Sequence, residues 1–269
     1  MKPLVLTLLR RPEQRLDVSP LVPHRLIGKT AAEIAAIELQ TTHVPVTAGD
    51  IFRLQMGDAQ KIRIENACDR LDGIGLAMTS GEIVVEGSVG IEAGRLMGGG
   101  RLTIIGDAGP WAASAMKGGT IEITGNAGDR LGGPRTGETA GMRGGIVVVR
   151  GNAGERAGDR MRRGMILVEG GASRYAGCRT IAGTLVVRRT VGPLPGYLMR
   201  RGTIVLGGAT DAFSPTFVDC GVHDLLALQL MARYVKPVSP RLATLLRRPW
   251  RRLAGDMAVL GKGEILTVP

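Results

Sequence analysis

Seven short segments along the middle of the chain alternate apolar and polar positions and open on glycine. Gly81 opens GEIVVEG, Gly100 GRLTIIG, Gly119 GTIEITG, Gly145 GIVVVRG, Gly164 GMILVEG, Gly183 GTLVVRR and Gly202 GTIVLGG. Successive openings lie nineteen residues apart, except that the step from Gly119 to Gly145 is seven longer. A weaker first copy, KIRIEN, starts at Lys61. With the opening glycine as position one, the third and fifth positions are Ile83/Val85, Leu102/Ile104, Ile121/Ile123, Val147/Val149, Ile166/Val168, Leu185/Val187 and Ile204/Leu206. All are aliphatic, while their neighbours vary freely. Alternation of period two marks a strand with one buried face.

Three further columns accompany the strand. The ninth position is small and apolar (Val89, Ala108, Ala127, Ala153, Ala172, Val191), the tenth is usually Gly, and the seventeenth is often Met (Met97, Met116, Met142, Met161, Met199). One short strand cannot bury its face alone, but equivalent strands stacked in register build a continuous aliphatic column. The period therefore predicts an all-β fold, a right-handed parallel β-helix with glycine corners where φ > 0 is needed. The LxxLxL pattern of a leucine-rich repeat is absent, and a propeller blade needs about forty residues. Eight coils at about 4.8 Å each make a rod of roughly 35–40 Å.

A solenoid needs caps. Residues 1–60 are expected to form an N-terminal α/β cap, 61–208 the β-helix, and 209–269 a C-terminal helix and tail. Leu4 to Leu9 reads as an N-terminal strand. Thr30 to Glu33 has a capping-box pattern, and Ile37 to Val46 reads as a strand. A helix is expected from Asp219 or Gly221 to about Tyr234, with Val222, Leu225, Leu226 and Met231 on one face and Pro237 as its stop. The basic cluster Arg247-Arg248-Pro249-Trp250-Arg251-Arg252 is either a solvated patch or a docking site for an acidic partner.

Composition agrees with a narrow core. Aromatics are only 3% of the chain, and its 41 glycines are about twice the usual share. Net charge is +11, which suggests a polyanionic partner: nucleic acid, an acidic protein or an acidic ligand. Cys68, Cys178 and Cys220 are isolated in sequence, which argues against a disulfide framework and for a reducing compartment. The apolar run at the start is too short for a signal segment, so a cytoplasmic protein with no membrane contact is expected.

Catalytic patterns are missing. His24, His43 and His223 stand in no HxxH or HExxH spacing, so no metal site is predicted and surface or cap positions are expected. No serine lies in GxSxG. Glycine-spaced stretches such as GNAGDRLGG have strands on both sides, whereas a dinucleotide fingerprint needs a following helix. Sugar-cleaving β-helices need clustered acids and aromatic platforms; paired carboxylates such as Glu86 and Glu92 have no evident partner arrangement and read as solvated surface acids.

The stretch GDAGPWAASAMKGGTIEITGNAGDRLGGPRTGETAGMRGGIVVVRGNAGERAGDRMRRGMILVEGGA resembles the glycine-rich C-terminal domain of glutamate synthases. It looks still more like the C subunit of formylmethanofuran dehydrogenases, as do the seven extra residues ending at GMRGG and the closing MRRGTIVLGG. Abundant Arg, Ala and Gly with little Lys suggests a GC-rich bacterial genome, and thus the C subunit of bacterial formyltransferase/hydrolase complexes. That resemblance implies a non-catalytic scaffold in tetrahydromethanopterin-linked oxidation of formaldehyde to formate. The implied partners are an amidohydrolase-like, a formyltransferase-like and a dehydrogenase-B-like subunit. It also implies no catalytic residue and no catalytic cofactor on this chain, with a methanofuran-type coenzyme at the level of the complex.

Such coenzymes carry acidic, glutamate-rich tails, and Arg recognises carboxylates in bidentate fashion. The candidate tail-binding residues are Arg135, Arg143, Arg162, Arg163, Arg188, Arg189, Arg200 and Arg201. The same side chains equally suit solubility and subunit packing. The competing function is a stand-alone polyanion- or nucleic-acid-binding module; scarce aromatic stacking platforms argue against nucleic acid. The sequence leaves open whether the complex is a hydrolase or a molybdenum or tungsten dehydrogenase.

Overall fold

The computed structural model describes residues 2–41 and 44–269. The N-terminal part contains β1 (Pro3–Leu8), β2 (Leu16–Asp17), α1 (Pro23–Leu26), α2 (Ala31–Ala35), β3 (Glu38–Leu39), β4 (Val46–Thr47), α3 (Ala48–Ile51), β5 (Phe52–Gln55), β6 (Asp58–Ala67) and β7 (Leu71–Asp72). The repeats supply β8 (Glu82–Gly87), β9 (Arg101–Ile105), β10 (Thr120–Ile123), β11 (Arg143–Val149), β12 (Arg163–Val168), β13 (Thr184–Val187) and β14 (Arg201–Leu206). The remainder forms β15 (Val218–His223), α4 (Leu226–Val235), α5 (Pro240–Leu245), β16 (Trp250–Gly255) and β17 (Lys262–Thr267). The protein is thus mainly β. Its principal sheet has thirteen strands in the order β15-β16-β17-β14-β13-β12-β11-β10-β9-β8-β6-β1-β5.

The run from β1 to β17 in that order is parallel, and its register follows the sequence repeat. Ile83 stands beside Leu102, Leu102 beside Ile121, and Ile121 beside Val147 despite the seven inserted residues. The third- and fifth-position side chains are all buried. Two more lines of hydrogen bonds join successive repeats. Isolated parallel bridges link Val89, Ala108, Ala127, Ala153, Ala172, Val191 and Thr210 in turn. Further round, Gly94 N–H donates to Ile74 C=O at 2.8 Å, Ala113 to Ala93 at 2.8 Å and Gly132 to Ala112 at 2.7 Å. The methionines of the seventeenth column are fully buried.

The stack extends past both ends of the visible repeat. Leu4 and Leu6 of β1 pair beside Ile62 and Ile64, and Ile265 of β17 pairs beside Ile204. Ten parallel strands result, about 43 Å of stacking at 4.8 Å per step. At each end the pairing turns antiparallel: β5 on β1, then β16 on β17 and β15 on β16.

The two glycine columns work differently. Opening glycines such as Gly100 (φ +83°) and Gly202 (φ +99°) adopt the left-handed region. The tenth-position glycines do not; a Cβ on Gly109 would lie 2.6 Å from Gly90 O, so the need there is close approach between coils. Corners are also built from non-glycine residues in the left-handed region, among them Arg130, Arg156, Arg160 and Arg179.

The ends depart from expectation more than the middle. Thr30 does close a capping box with Glu33 around α2. The span Ile37 to Val46 holds two short antiparallel strands, β3 and β4, rather than one. Residues 218–223 form a strand, and the helix begins only at Leu226. Pairing with β16 overrides the local helix pattern there. The basic cluster is part strand, and Trp250 is fully buried.

A second core lies outside the stack. Val148, Leu167, Val186 and Val205, at the fourth position of successive copies, pack under Leu228, Ala232, Val235, Leu242, Leu246 and Trp250. In earlier copies that position is Val84, Thr103 and Glu122, which are only half-buried. An ion-pair knot fixes the helices. Glu169, buried, accepts from Ser239 Oγ at 2.7 Å and Arg150 Nη1 at 2.5 Å, and pairs with Arg241 at 3.2 Å; Arg150 also reaches Glu122 at 2.7 Å. Among the described residues no helix is long and apolar enough to cross a membrane.

Candidate anion-binding surface

The basic side chains gather where each coil turns into its strand. Arg143 sits in register with Arg163, and Arg201 with Lys262. Arg162 and Arg200 immediately precede the strand residues Arg163 and Arg201, and all five arginines are exposed. Each occupies nearly the same step of its repeat, so like charges stand side by side on β11 and β12 and again on β14 and β17. Ile181 and Ala182, at the matching step before β13, separate the two pairs.

The other named arginines lie differently. Arg188 is half-buried and donates from Nε to the Glu169 carbonyl at 2.8 Å, while Arg189 is exposed. Arg135 pairs with Glu92 at 2.9 Å, and its backbone N–H donates to Glu138 at 2.9 Å. Both Arg135 and Arg188 are therefore engaged within the chain.

Arg200 lines a cavity of about 410 Å³ with Arg160, Arg179, Thr139, Leu198 and Val259. Arg179 is held by fully buried Asp159, with Nε 2.9 Å from Oδ1. Arg160 Nη1 donates to the Glu138 carbonyl at 3.2 Å. Two guanidinium groups are thus fixed in place before any ligand arrives. The ion pair with Asp159 raises the pKa of Arg179, more than offsetting its burial. Neither Arg160 nor Arg179 stood out in the sequence. Their signal was positional: both occupy the sixteenth place of their copies, where the chain turns through φ of +48° and +53°.

A cation–aromatic row follows the twelfth position of the copies, with Tyr197 beside its end. Arg130 lies 6.0 Å over Trp111, Arg156 5.5 Å over Tyr175, and Tyr175 5.9 Å from Tyr197. Three of the chain's eight aromatic residues thus gather in this row, which composition alone did not suggest. Such Arg–aromatic contacts are favourable when partly desolvated.

Beside Asp159, Cys178 is buried, and its Sγ donates to Oδ1 at 3.4 Å. Burial, reinforced by the Asp159 charge, pushes the thiol pKa up to about 12, so it stays protonated at neutral pH. All three cysteines are free. His24 lies in α1, and the exposed His223 closes β15 with Nε2 2.8 Å from the Cys220 carbonyl; His43 lies outside the described residues. Among the described residues no group of three His, Cys, Asp or Glu side chains is placed to hold a metal ion. What the surface offers chemically is fixed positive charge.

No protein-family model matches the chain. It is 49% identical over 252 residues to the C subunit of the formyltransferase/hydrolase complex Fhc of Methylorubrum extorquens, covering 94% of each chain. It is 32% identical over 93 residues, 34% of each chain, to the C subunit of the tungsten-containing formylmethanofuran dehydrogenase 2 of Methanococcus maripaludis. Among solved structures it superposes on a chain of the formyltransferase/hydrolase complex FhcABCD of Methylorubrum extorquens, determined with methylofuran. The TM-score is 0.95 at 40% identity, over 98% of this chain and 99% of that one.

Proposed function

The chain belongs to the C-subunit family of formyltransferase/hydrolase complexes, and from that membership we propose that it is the non-catalytic scaffold of such a complex. The complex transfers a formyl group from formyl-tetrahydromethanopterin to a methanofuran-type coenzyme and hydrolyses it to formate in the cytoplasm. Its partners are the amidohydrolase-like, formyltransferase-like and dehydrogenase-B-like subunits. The observation that carries this reading is the unbroken succession of parallel strand pairings from β1 to β17.

Strands, Ala/Val bridges and turn hydrogen bonds all recur coil after coil, which supports a right-handed parallel β-helix. Parallel crossovers are right-handed in nearly all known cases. The repeats of the solenoid span 61–208; 1–60 and 209–269 each add one further parallel strand, β1 and β17, and the rest of each segment caps its end. A rod braced at three lines per coil holds two active sites at a fixed separation. That fixed distance raises the effective concentration of a tethered intermediate at the second site.

The acidic coenzyme tail is held by the exposed Arg143, Arg162, Arg163, Arg200 and Arg201, with Arg160 and Arg179 set behind Arg200. The fit rests on Asp159, which orients the Arg179 guanidinium toward the cavity that Arg200 lines. When bound, the coenzyme supplies the amine that carries the formyl group. This chain's residues only hold and orient its tail.

The test is the assembled complex with Arg162, Arg163 and Arg200 replaced by alanine. Coenzyme retained after gel filtration should fall about tenfold, a few charge-assisted hydrogen bonds' worth, while the subunits stay together. Full retention would remove the tail-binding role. Purification of the wild-type chain at moderate salt tests the scaffold itself. Co-eluting catalytic subunits support it, and co-eluting nucleic acid favours a stand-alone polyanion binder. Formyl transfer or hydrolysis by the isolated chain would overturn the non-catalytic assignment.

A further inference from the structure

Helix α4 is apolar on two opposite sides. Leu228, Ala232 and Val235 face the second core and are buried. Leu226, Leu230 and Tyr234 follow one another at intervals of four, so they form a second stripe roughly opposite the first. That stripe is 68%, 54% and 63% exposed. A helix apolar all round belongs between two layers, yet only one layer is supplied by this chain. Just before it, β15 ends the sheet, and all six of its residues are exposed, Val218 and Val222 among them. Among the described residues no strand pairs with its outer edge.

We infer that the outer face of α4, with the exposed strand β15, docks another protein of the complex. That partner's contact face is apolar at its centre and acidic at its rim. The inference rests on the scaffold reading and adds the surface used.

Charge sets the partner's chemistry. Between Val218 and Arg252 the chain has seven Arg and Lys residues; Arg241, Arg251 and Arg252 pair with Glu169, Asp219 and Glu264, which leaves four basic residues against Asp224. Arg233 in α4 and Lys236 just after it are exposed next to the stripe in sequence, and Arg247 and Arg248 are exposed between α5 and β16. An exposed apolar stripe flanked by basic side chains fits a partner face that is apolar at its centre and acidic at its rim. Recognition is by side chains rather than by strand addition, because the register of β15 shifts between Asp219 and Val222. Such a bulge spoils the regular ladder that an added strand needs.

Cys220, exposed within β15, is a built-in probe. In the isolated chain it should react freely with N-ethylmaleimide; in the assembled complex its labelling should slow at least about tenfold. The variants L230D/Y234D and R247E/R248E change exposed side chains, so the melting of the isolated chain should match wild type. Both should weaken retention of the other subunits about tenfold or more. Assembly of L230D/Y234D at wild-type affinity, with Cys220 open in the complex, would leave the scaffold standing and sink this surface. A dimer of the isolated chain that L230D/Y234D abolishes would assign the surface to a second copy instead. Flotation on phosphatidylserine vesicles, lost in that variant, would assign it to a membrane. A chain that retains no other subunit at all would take the scaffold and this inference down together.

Discussion

Cys178 and Cys220 show how far placement governs a side chain's chemistry. Cys178 sits under a turn beside Asp159, with its thiol held protonated by burial and by that carboxylate. Cys220 lies on an exposed strand. Titration of the isolated chain with a disulfide reagent at pH 8 should find Cys220 reactive and Cys178 silent until denaturant is added. Reaction of Cys178 in the native chain would contradict its burial. Gly109 makes a second case. It adopts no left-handed φ, but its missing Cβ leaves room for the backbone of Gly90. Gly109→Ala should cost about 1–3 kcal/mol and lower the melting temperature by about 5 °C. A substitution there that left melting unchanged would mean the coils tolerate spreading. Glycine counts in the sequence anticipated tight turns, yet could not separate a residue needed for its φ from one needed for its missing side chain.

At the scale of elements, the C-terminal helices are held to the stack by Val148, Leu167, Val186 and Val205 below and by Glu169 at their edge. Burial alone would raise the pKa of Glu169, but the Ser239 hydroxyl and the Arg150 guanidinium outweigh it, so the carboxyl titrates below its ordinary 4.5. The folded chain therefore binds fewer protons at this site than the unfolded one. Its contribution to stability is complete above about pH 4.5 and fades as pH falls through the lowered value. Glu169→Gln should lose about 1–3 kcal/mol at pH 7 and show a flatter loss of stability on acidification. Thermal melts at pH 7 and pH 4 check both effects; a variant as pH-sensitive as wild type would show that Glu169 is not the titrating group. The change from Glu122 to Val148 at the fourth position was visible in the sequence. Its meaning was hidden, because the covering helix comes some eighty residues later. In the same way the helical pattern around Val222 yielded to pairing with β16.

For the whole molecule, stability rests on one shared column. Val149 is fully buried between Ile123 and Val168 in register. A carboxylate there has no partner, and each coil depends on its neighbours for its buried face. Val149→Asp should abolish soluble expression, as judged by the soluble fraction of lysates; a folded, soluble mutant would refute the stacking account. The repeat was legible from Lys61 to Leu206, though not in the outer strands β1 and β17, because each of those copies meets the same local surroundings, so period two within a strand and period nineteen between strands follow from composition at each position. The same periodicity implied that no room existed for aromatics inside the column, and they lie at its ends or outside it. The arginine cavity, the second core and the exposed stripe of α4 were not legible. Each joins residues that are close only after the chain has folded: Arg160, Arg179 and Arg200 from three successive repeats, and Glu169 with Ser239 across seventy residues. A linear pattern carries the contacts that repeat, whereas contacts made once exist only in the folded chain.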